Sequence, residues 1–204
     1  MPNCKNERGM RFGVITLFPE MFDSVTGWGV TGRALRQGLW SIDFFDPRHE
    51  ALDRHGSVDD RPYGGGPGMV MKAPILKSSL DKAHQVLDAT ARVVALTPHG
   101  QCLDSTLCQD LALSSALILV CGRYEGIDER IIEAEVDMEI SVGDFVVSGG
   151  ELPAMLLIDS VVRWLPGVLG HTESALQDSF VKNLLFFLAA PTPRSRAMKS
   201  FLTP

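Results

Sequence analysis

Short apolar runs of strand character alternate with helix-period stretches along most of this chain, and that alternation limits the fold more than any other feature. Arg11–Leu17 reads as a buried strand, with Pro19 suited to the first turn of a helix. Ser41–Phe45 reads as a second strand. Pro74–Leu87 carries Ile75, Leu76, Leu80, Ala83, Val86 and Leu87 at helical spacing. Arg92–Leu96 is strand-like and ends at Thr97-Pro98-His99-Gly100. Asp104–Leu113 then reads as a helix, Ala116–Cys121 as a strand, Ile127–Ala134 as a helix and Val136–Ser141 as a short strand. Glu151–Trp164 reads as an amphipathic helix that tolerates Pro153 in its first turn. Strands alternating with helices predict an α/β fold, a mostly parallel sheet flanked by helices.

Ligands on such sheets sit at the carboxyl ends of strands. The turns at Thr97–Gly100, Gly122–Gly126 and Val142–Gly150 all fall at such ends, so they predict one shared site. The richest stretch is residues 120–153. It holds Gly122, the turn Arg123-Tyr124-Glu125-Gly126, then Ser141-x-Gly143-Asp144-Phe145 and Ser148-Gly149-Gly150-Glu151. Glycine lets a backbone turn with positive φ or approach a ligand closely, because no Cβ intrudes. The spacing fits neither G-x-G-x-x-G nor G-x-x-x-x-G-K-[ST], which argues against dinucleotide and P-loop sites. Taken singly, each glycine reads as an ordinary tight turn. Ser57–Met69, with three consecutive glycines and two prolines, reads as an exposed loop.

At 204 residues, 45% hydrophobic and 22% charged, the chain has ordinary globular composition. The apolar runs near 115–121 and 184–190 fall short of the ~20 residues that span a bilayer. With no hydrophobic signal core at the N-terminus, the expectation is a cytoplasmic protein without a membrane segment. Cys4, Cys102, Cys108 and Cys121 show no C-x-x-C spacing, so they predict reduced thiols and no structural metal. A net charge of −6 does not mark a nucleic-acid binder. No acidic residue follows Asp178, however, while Lys182, Arg194, Arg196 and Lys199 do. Arg33, Arg36, Arg48, Arg54, Arg61 and Arg123 form a basic face only if folding gathers them. Charge leaves RNA binding undecided.

Longer motifs carry a resemblance. They are Met10-Arg11-Phe12-Gly13, Leu17-Phe18-Pro19-Glu20-Met21-Phe22, Gly29-Val30-Thr31-Gly32-Arg33-Ala34 and Val58–Met69. The stretch 120–153, Leu165-Pro166-Gly167-Val168-Leu169-Gly170-His171 and Gln177-Asp178-Ser179-Phe180 complete the set. Over about residues 10–181 the chain resembles the bacterial tRNA (guanine-N1)-methyltransferases, the TrmD type of the SPOUT superfamily. The resemblance implies a deep trefoil knot, S-adenosyl-L-methionine bound in a bent shape within it, and a homodimer whose active site lies across the interface. It implies a cofactor pocket built from Leu96, Thr97, Pro98, Gly122, Tyr124, Glu125, Val142, Gly143, Asp144, Phe145, Val146, Val147, Gly149 and Gly150. Backbone groups would read the adenine edge, and Leu96 and Val147 would sandwich its faces; without the family, those two read as core packing.

Guanine N1 carries a proton at neutral pH, so methyl transfer there needs a general base and a donor at O6. By match to the family motifs, Asp178 is the implied base and Arg163 the implied O6 partner. Read from the residues alone, Asp178 is a helix cap and Arg163 a solvated helix residue. Asp59, Arg61 and Arg123 are implied substrate contacts. Glu125 either faces the cofactor's positive charge or pairs with Arg123. Paired acids such as Asp59 and Asp60 are candidates to hold Mg²⁺ through water. His171 has the chemistry of a base, but a hydrogen-bonding role suits it better. Trp28, Trp40 and Trp164 suit core or interface positions.

The expected division is an extension at 1–9, the methyltransferase domain at 10–175, and a linker and tail at 176–204. After Phe180 the family usually continues Gly-Leu-Leu-Asp, a Tyr-Thr-Arg-Pro stretch and a helical domain that grips tRNA. Here Val181–Ala190 and a Pro-, Ser- and Arg-containing tail replace that pattern, as truncation, frameshift or divergence would do. The reading is methyl transfer to N1 of the guanine 3′ of the anticodon in tRNA. Its rival is a non-catalytic cofactor-binding homodimer that has lost productive tRNA binding; a SPOUT enzyme acting on rRNA fits Asp59–Met69 and Gln177–Phe180 less well.

Overall fold

The computed structural model describes residues 9–62 and 64–169. The boundary expected after residue 175, the Gln177–Phe180 motif and the tail lie outside the described residues. In chain order the elements are β1 (Met10–Ile15), a 3-10 turn (Pro19–Phe22), α1 (Asp23–Thr26), α2 (Gly29–Arg36), β2 (Trp40–Phe45) and a 3-10 turn (Pro47–Glu50). Then come β3 (Asp59–Asp60), β4 (Val70–Met71), α3 (Ala73–Val86), β5 (Arg92–Cys102) and α4 (Ser105–Leu111). Last are β6 (Ala116–Val120), α5 (Glu129–Glu135), β7 (Met138–Ser141) and α6 (Glu151–Val162).

Five strands form one sheet in the order β2-β1-β6-β5-β7. Every neighbouring pair is parallel, as the alternation requires. β6 lies at the centre and is buried along its whole length, which is why its sequence is a continuous apolar run. One face of the sheet packs Phe12, Val14, Leu117 and Leu119 against Leu157, Ile158, Val161 and Val162 of α6. The other packs Ile15, Ile118 and Val120 against Leu76, Leu80 and Ala83 of α3. Trp40 is a core residue, edge-on to Phe12 at 5.6 Å, with its indole N–H donating to the Thr31 carbonyl at 3.0 Å. Trp28 is exposed.

Two expectations need correction. β5 does not end before Thr97; it runs on to Cys102 past a register shift between Leu96 and Gln101, and its far end pairs with Ile140 and Ser141. The bulge absorbs the residues that signal a turn, and Gly100 is required there because a Cβ would lie 2.4 Å from the Glu139 carbonyl carbon. Ser57–Met69 is not wholly irregular, since Asp59 and Asp60 pair antiparallel with Met71 and Val70.

Candidate active site

Strands β5, β6 and β7 are parallel neighbours or next neighbours, so their carboxyl ends open on the same side of the sheet. A cavity of about 140 Å³ lies there, lined by Leu96–Pro98, Gly122–Ile127, Ile140–Gly143, Phe145–Gly150 and Pro153. Thr97 and Pro98 of the β5 bulge and the two glycine turns after β6 and β7 therefore meet at one pocket. Of the residues expected to hold the cofactor, all line it except Asp144, which is exposed. The reason is local. Gly143 has φ +148°, the Phe145 N–H bonds back to the Gly143 carbonyl at 2.9 Å, and Asp144 is turned outward between them. Gly126 and Ser148 line it too, within the turns expected at the site; Ile127, Ile140, Ser141 and Pro153 also line the pocket and were not expected. They carry no distinctive chemistry; only their place beside the glycine turns could have suggested them.

Backbone approach explains the glycines. The Gly150 N–H donates to the Gly122 carbonyl at 2.8 Å, and a Cβ on Gly150 would lie 2.7 Å from the Cys121 Cα. A Cβ on Gly149 would lie 2.3 Å from the Arg123 Nε. Tyr124 is a non-glycine residue held at φ 61°, a strained conformation of the kind that gathers at functional sites. Burial and then the nearby Asp59 carboxylate raise its pKa above the ordinary phenol value. Asp59 stands beside the pocket rim because it pairs with Met71, whose strand is held to Gly126. The adjoining chain is tied there directly, because Glu125 N–H donates to the Met69 carbonyl at 2.9 Å and Met71 N–H to the Gly126 carbonyl at 3.1 Å.

Arg123 does not pair with Glu125. Its Nε stands 2.8 Å from Oε2 of Glu151, and its Nη1 donates to the Ser148 carbonyl at 3.1 Å. The Nε–H is not directed at Oε2, so the contact is an ion pair rather than a hydrogen bond. The guanidinium also covers the Phe18 ring at 4.5 Å. Arg61 is exposed, and Glu125 is exposed at the rim. Arg163 caps the far end of α6 and is half-buried. From Gly150 to Arg163 the helix spans about 20 Å at 1.5 Å per residue, and Arg163 does not line the pocket. Asp178 and His171 lie outside the described residues. Arg33, Arg36 and Arg48 bond to the carbonyls of Val168, Gly27 and Leu17 respectively. Among the described residues there is no cluster of His, Cys, Asp and Glu able to ligate a metal.

The tRNA (Guanine-1)-methyltransferase TrmD family model matches residues 10–200. The chain belongs to that family. It is 55% identical over 176 residues to the tRNA (guanine-N(1)-)-methyltransferase of Salmonella typhi, covering 86% of this chain and 69% of the relative. It is 56% identical to that of Klebsiella pneumoniae strain 342, with the same coverage of both. Among solved structures it is similar to the tRNA (m1G37) methyltransferase from Aquifex aeolicus. That match has a TM-score of 0.74 and 39% identity, and covers 80% of this chain and 73% of the other. As a member of that family the chain is a methyltransferase. No helix among the described residues is long and apolar enough to cross a membrane.

Proposed function

We propose that this chain transfers a methyl group from S-adenosyl-L-methionine to N1 of the guanine 3′ of the anticodon in tRNA, as a homodimer. The observation that carries the reading is the convergence of the β5 bulge and the glycine turns after β6 and β7 on one pocket in a chain of this family. The residues present fit the donor. Gly122 and Gly149 put main chain without side chains at the pocket wall, where an adenine edge would be read, and Leu96, Ile127 and Val147 supply apolar faces for the ring. S-adenosyl-L-methionine, once bound, supplies a methyl on a sulfonium, a leaving group good enough that no serine or cysteine nucleophile is needed. The deep knot expected from the resemblance is proposed for the same stretch of chain. A directly ligated Mg²⁺ does not fit the described residues, and Mg²⁺ enters the proposal only as an ion held through water near Asp59, Asp60 or Glu125.

Asp178 would take the N1 proton of guanine onto a carboxylate oxygen, freeing the N1 lone pair to attack the methyl carbon as the sulfonium leaves as a thioether. Arg163 would donate to O6 as negative charge gathers there, a role suited to a fixed guanidinium fork. The ~20 Å from Gly150 to Arg163 along α6 supports a site shared between protomers, the pocket from one and Arg163 from the other. Methyl-labelled donor and a tRNA transcript test the whole reading. N1-methylguanine should form, and should vanish when the target guanine is replaced. Asp178→Ala should reduce turnover by about 10²–10⁴-fold with donor affinity retained. Donor binding without product would instead establish the binding-only dimer.

A further inference from the structure

Glu151 is fully buried at the first turn of α6, directly behind the pocket wall. Its Oε1 accepts from the Thr16 hydroxyl at 2.9 Å, and that hydroxyl oxygen accepts from the Phe18 N–H at 3.0 Å. Its Oε2 faces the Arg123 Nε at 2.8 Å. Arg123 in turn holds the Ser148 carbonyl and is one of the residues that line the pocket. One buried carboxylate thus links the end of β1, the turn after β6 and the loop after β7. A charge is costly to bury without a partner, so the pair persists only as a pair. Its position has a second consequence. An uncompensated guanidinium in the wall would repel a cationic ligand, and Glu151 offsets it.

We propose that Glu151 is a positioning residue which fixes Arg123 against the 142–150 loop and cancels its charge, so that the pocket admits a methyl donor bearing a sulfonium cation. The inference rests on the reading that this pocket takes S-adenosyl-L-methionine. It makes a prediction that packing alone does not. The donor and its product S-adenosylhomocysteine have nearly the same shape, but the product's sulfur is an uncharged thioether. Removing the negative charge of Glu151 should therefore penalise the donor more than the product.

The experiment is calorimetric titration of the full chain with each ligand. In Glu151→Gln the ratio of donor Kd to product Kd should rise about fivefold, the scale expected for unit charges several ångströms apart in a partly screened site. Adding Arg123→Met to that variant should bring the ratio back to its original value. Equal weakening of both ligands, or a ratio that the second substitution does not restore, would reduce Glu151 to a structural role and overturn the proposal. If Glu151→Gln does not fold, Thr16→Val releases Oε1 while keeping both charges. Both Kd values should then rise together by about threefold, and unchanged values would overturn the positioning role. An unaltered chain that bound neither ligand would overturn the pocket assignment itself, and this proposal with it; the equal-weakening outcome leaves that assignment standing.

Discussion

Single atoms decide the pocket. Gly150 accepts no side chain because the intruding Cβ would meet main chain, the Cys121 Cα at 2.7 Å and the Gly122 nitrogen at 2.9 Å, rather than a movable side-chain end. Gly150→Ala should therefore lower stability by about 1–3 kcal/mol, as overpacking does. It should also weaken donor binding, measurable by denaturant titration and calorimetry on the same preparation. The cysteines offer an independent check on local burial. Cys121 is fully buried, and its thiol is pushed well above the ordinary value by burial first and the Glu151 charge second, against Arg123. Burial and then Asp104 also raise Cys108, whereas Cys102 is exposed. Since the thiolate is the reactive form, iodoacetamide at pH 8 should label Cys102 in the folded chain and spare Cys108 and Cys121. Peptide mass mapping, with a denatured control in which all react, reads this directly.

At the scale of elements, the 3-10 turn at Pro47–Glu50 is clamped to α3 by one side chain. Glu50 accepts from Lys82 Nζ at 2.6 Å and from Ser78 Oγ at 2.8 Å. The Lys82 bond, against partial desolvation and with help from Ser78, lowers the Glu50 pKa below its ordinary value. A carboxylate with a depressed folded pKa adds stability above its unfolded pKa and loses it as pH falls through the folded one. Glu50→Gln should then cost about 1 kcal/mol at neutral pH, with solvent-exposed Lys82 limiting the gain, and much less at pH 3. Thermal melts of both proteins at the two pH values would show the difference closing. The elements themselves were legible to different degrees. β6 announced itself because both its faces are buried, and α3 because its apolar stripe repeats at helical spacing. β5 was cut short because Pro98 and Gly100 are turn residues by local rule, and only pairing with β7 overrides that rule. α2 was not anticipated, since Gly29 and Gly32 weaken its local signal. Gly32 is there for packing: a Cβ would lie 2.7 Å from the Gly27 carbonyl carbon. The pocket turns were legible as strand ends; the Thr16–Glu151–Arg123 link, spanning 135 residues in sequence between Thr16 and Glu151, was not.

At the scale of the molecule, the proposed site has its parts at opposite ends of one helix, and whether two protomers share it can be tested without further structure. The pocket lies at the N-terminal end of α6 and Arg163 at its C-terminal end, about 20 Å away along the helix. A closed two-fold pairing reconciles them if each protomer offers its Arg163 to the other's pocket. Between those ends α6 presents Leu152 and Leu156, four residues apart and about half exposed, on the face that also carries Asp159. Two inactive variants then have complementary defects. Val147→Arg places a cation in the pocket, blocking a cationic donor, and leaves Arg163 intact. Arg163→Ala leaves the pocket intact and removes the proposed O6 partner. Each alone should be inactive in methyl transfer. Unfolded and refolded together, half the dimers would be mixed, and each mixed dimer would hold one site with both defects and one with neither. Activity should return to about a quarter of the unaltered value. If pocket and arginine served the same protomer's site, no mixed dimer would contain an intact site, and the mixture would stay as inactive as its parents.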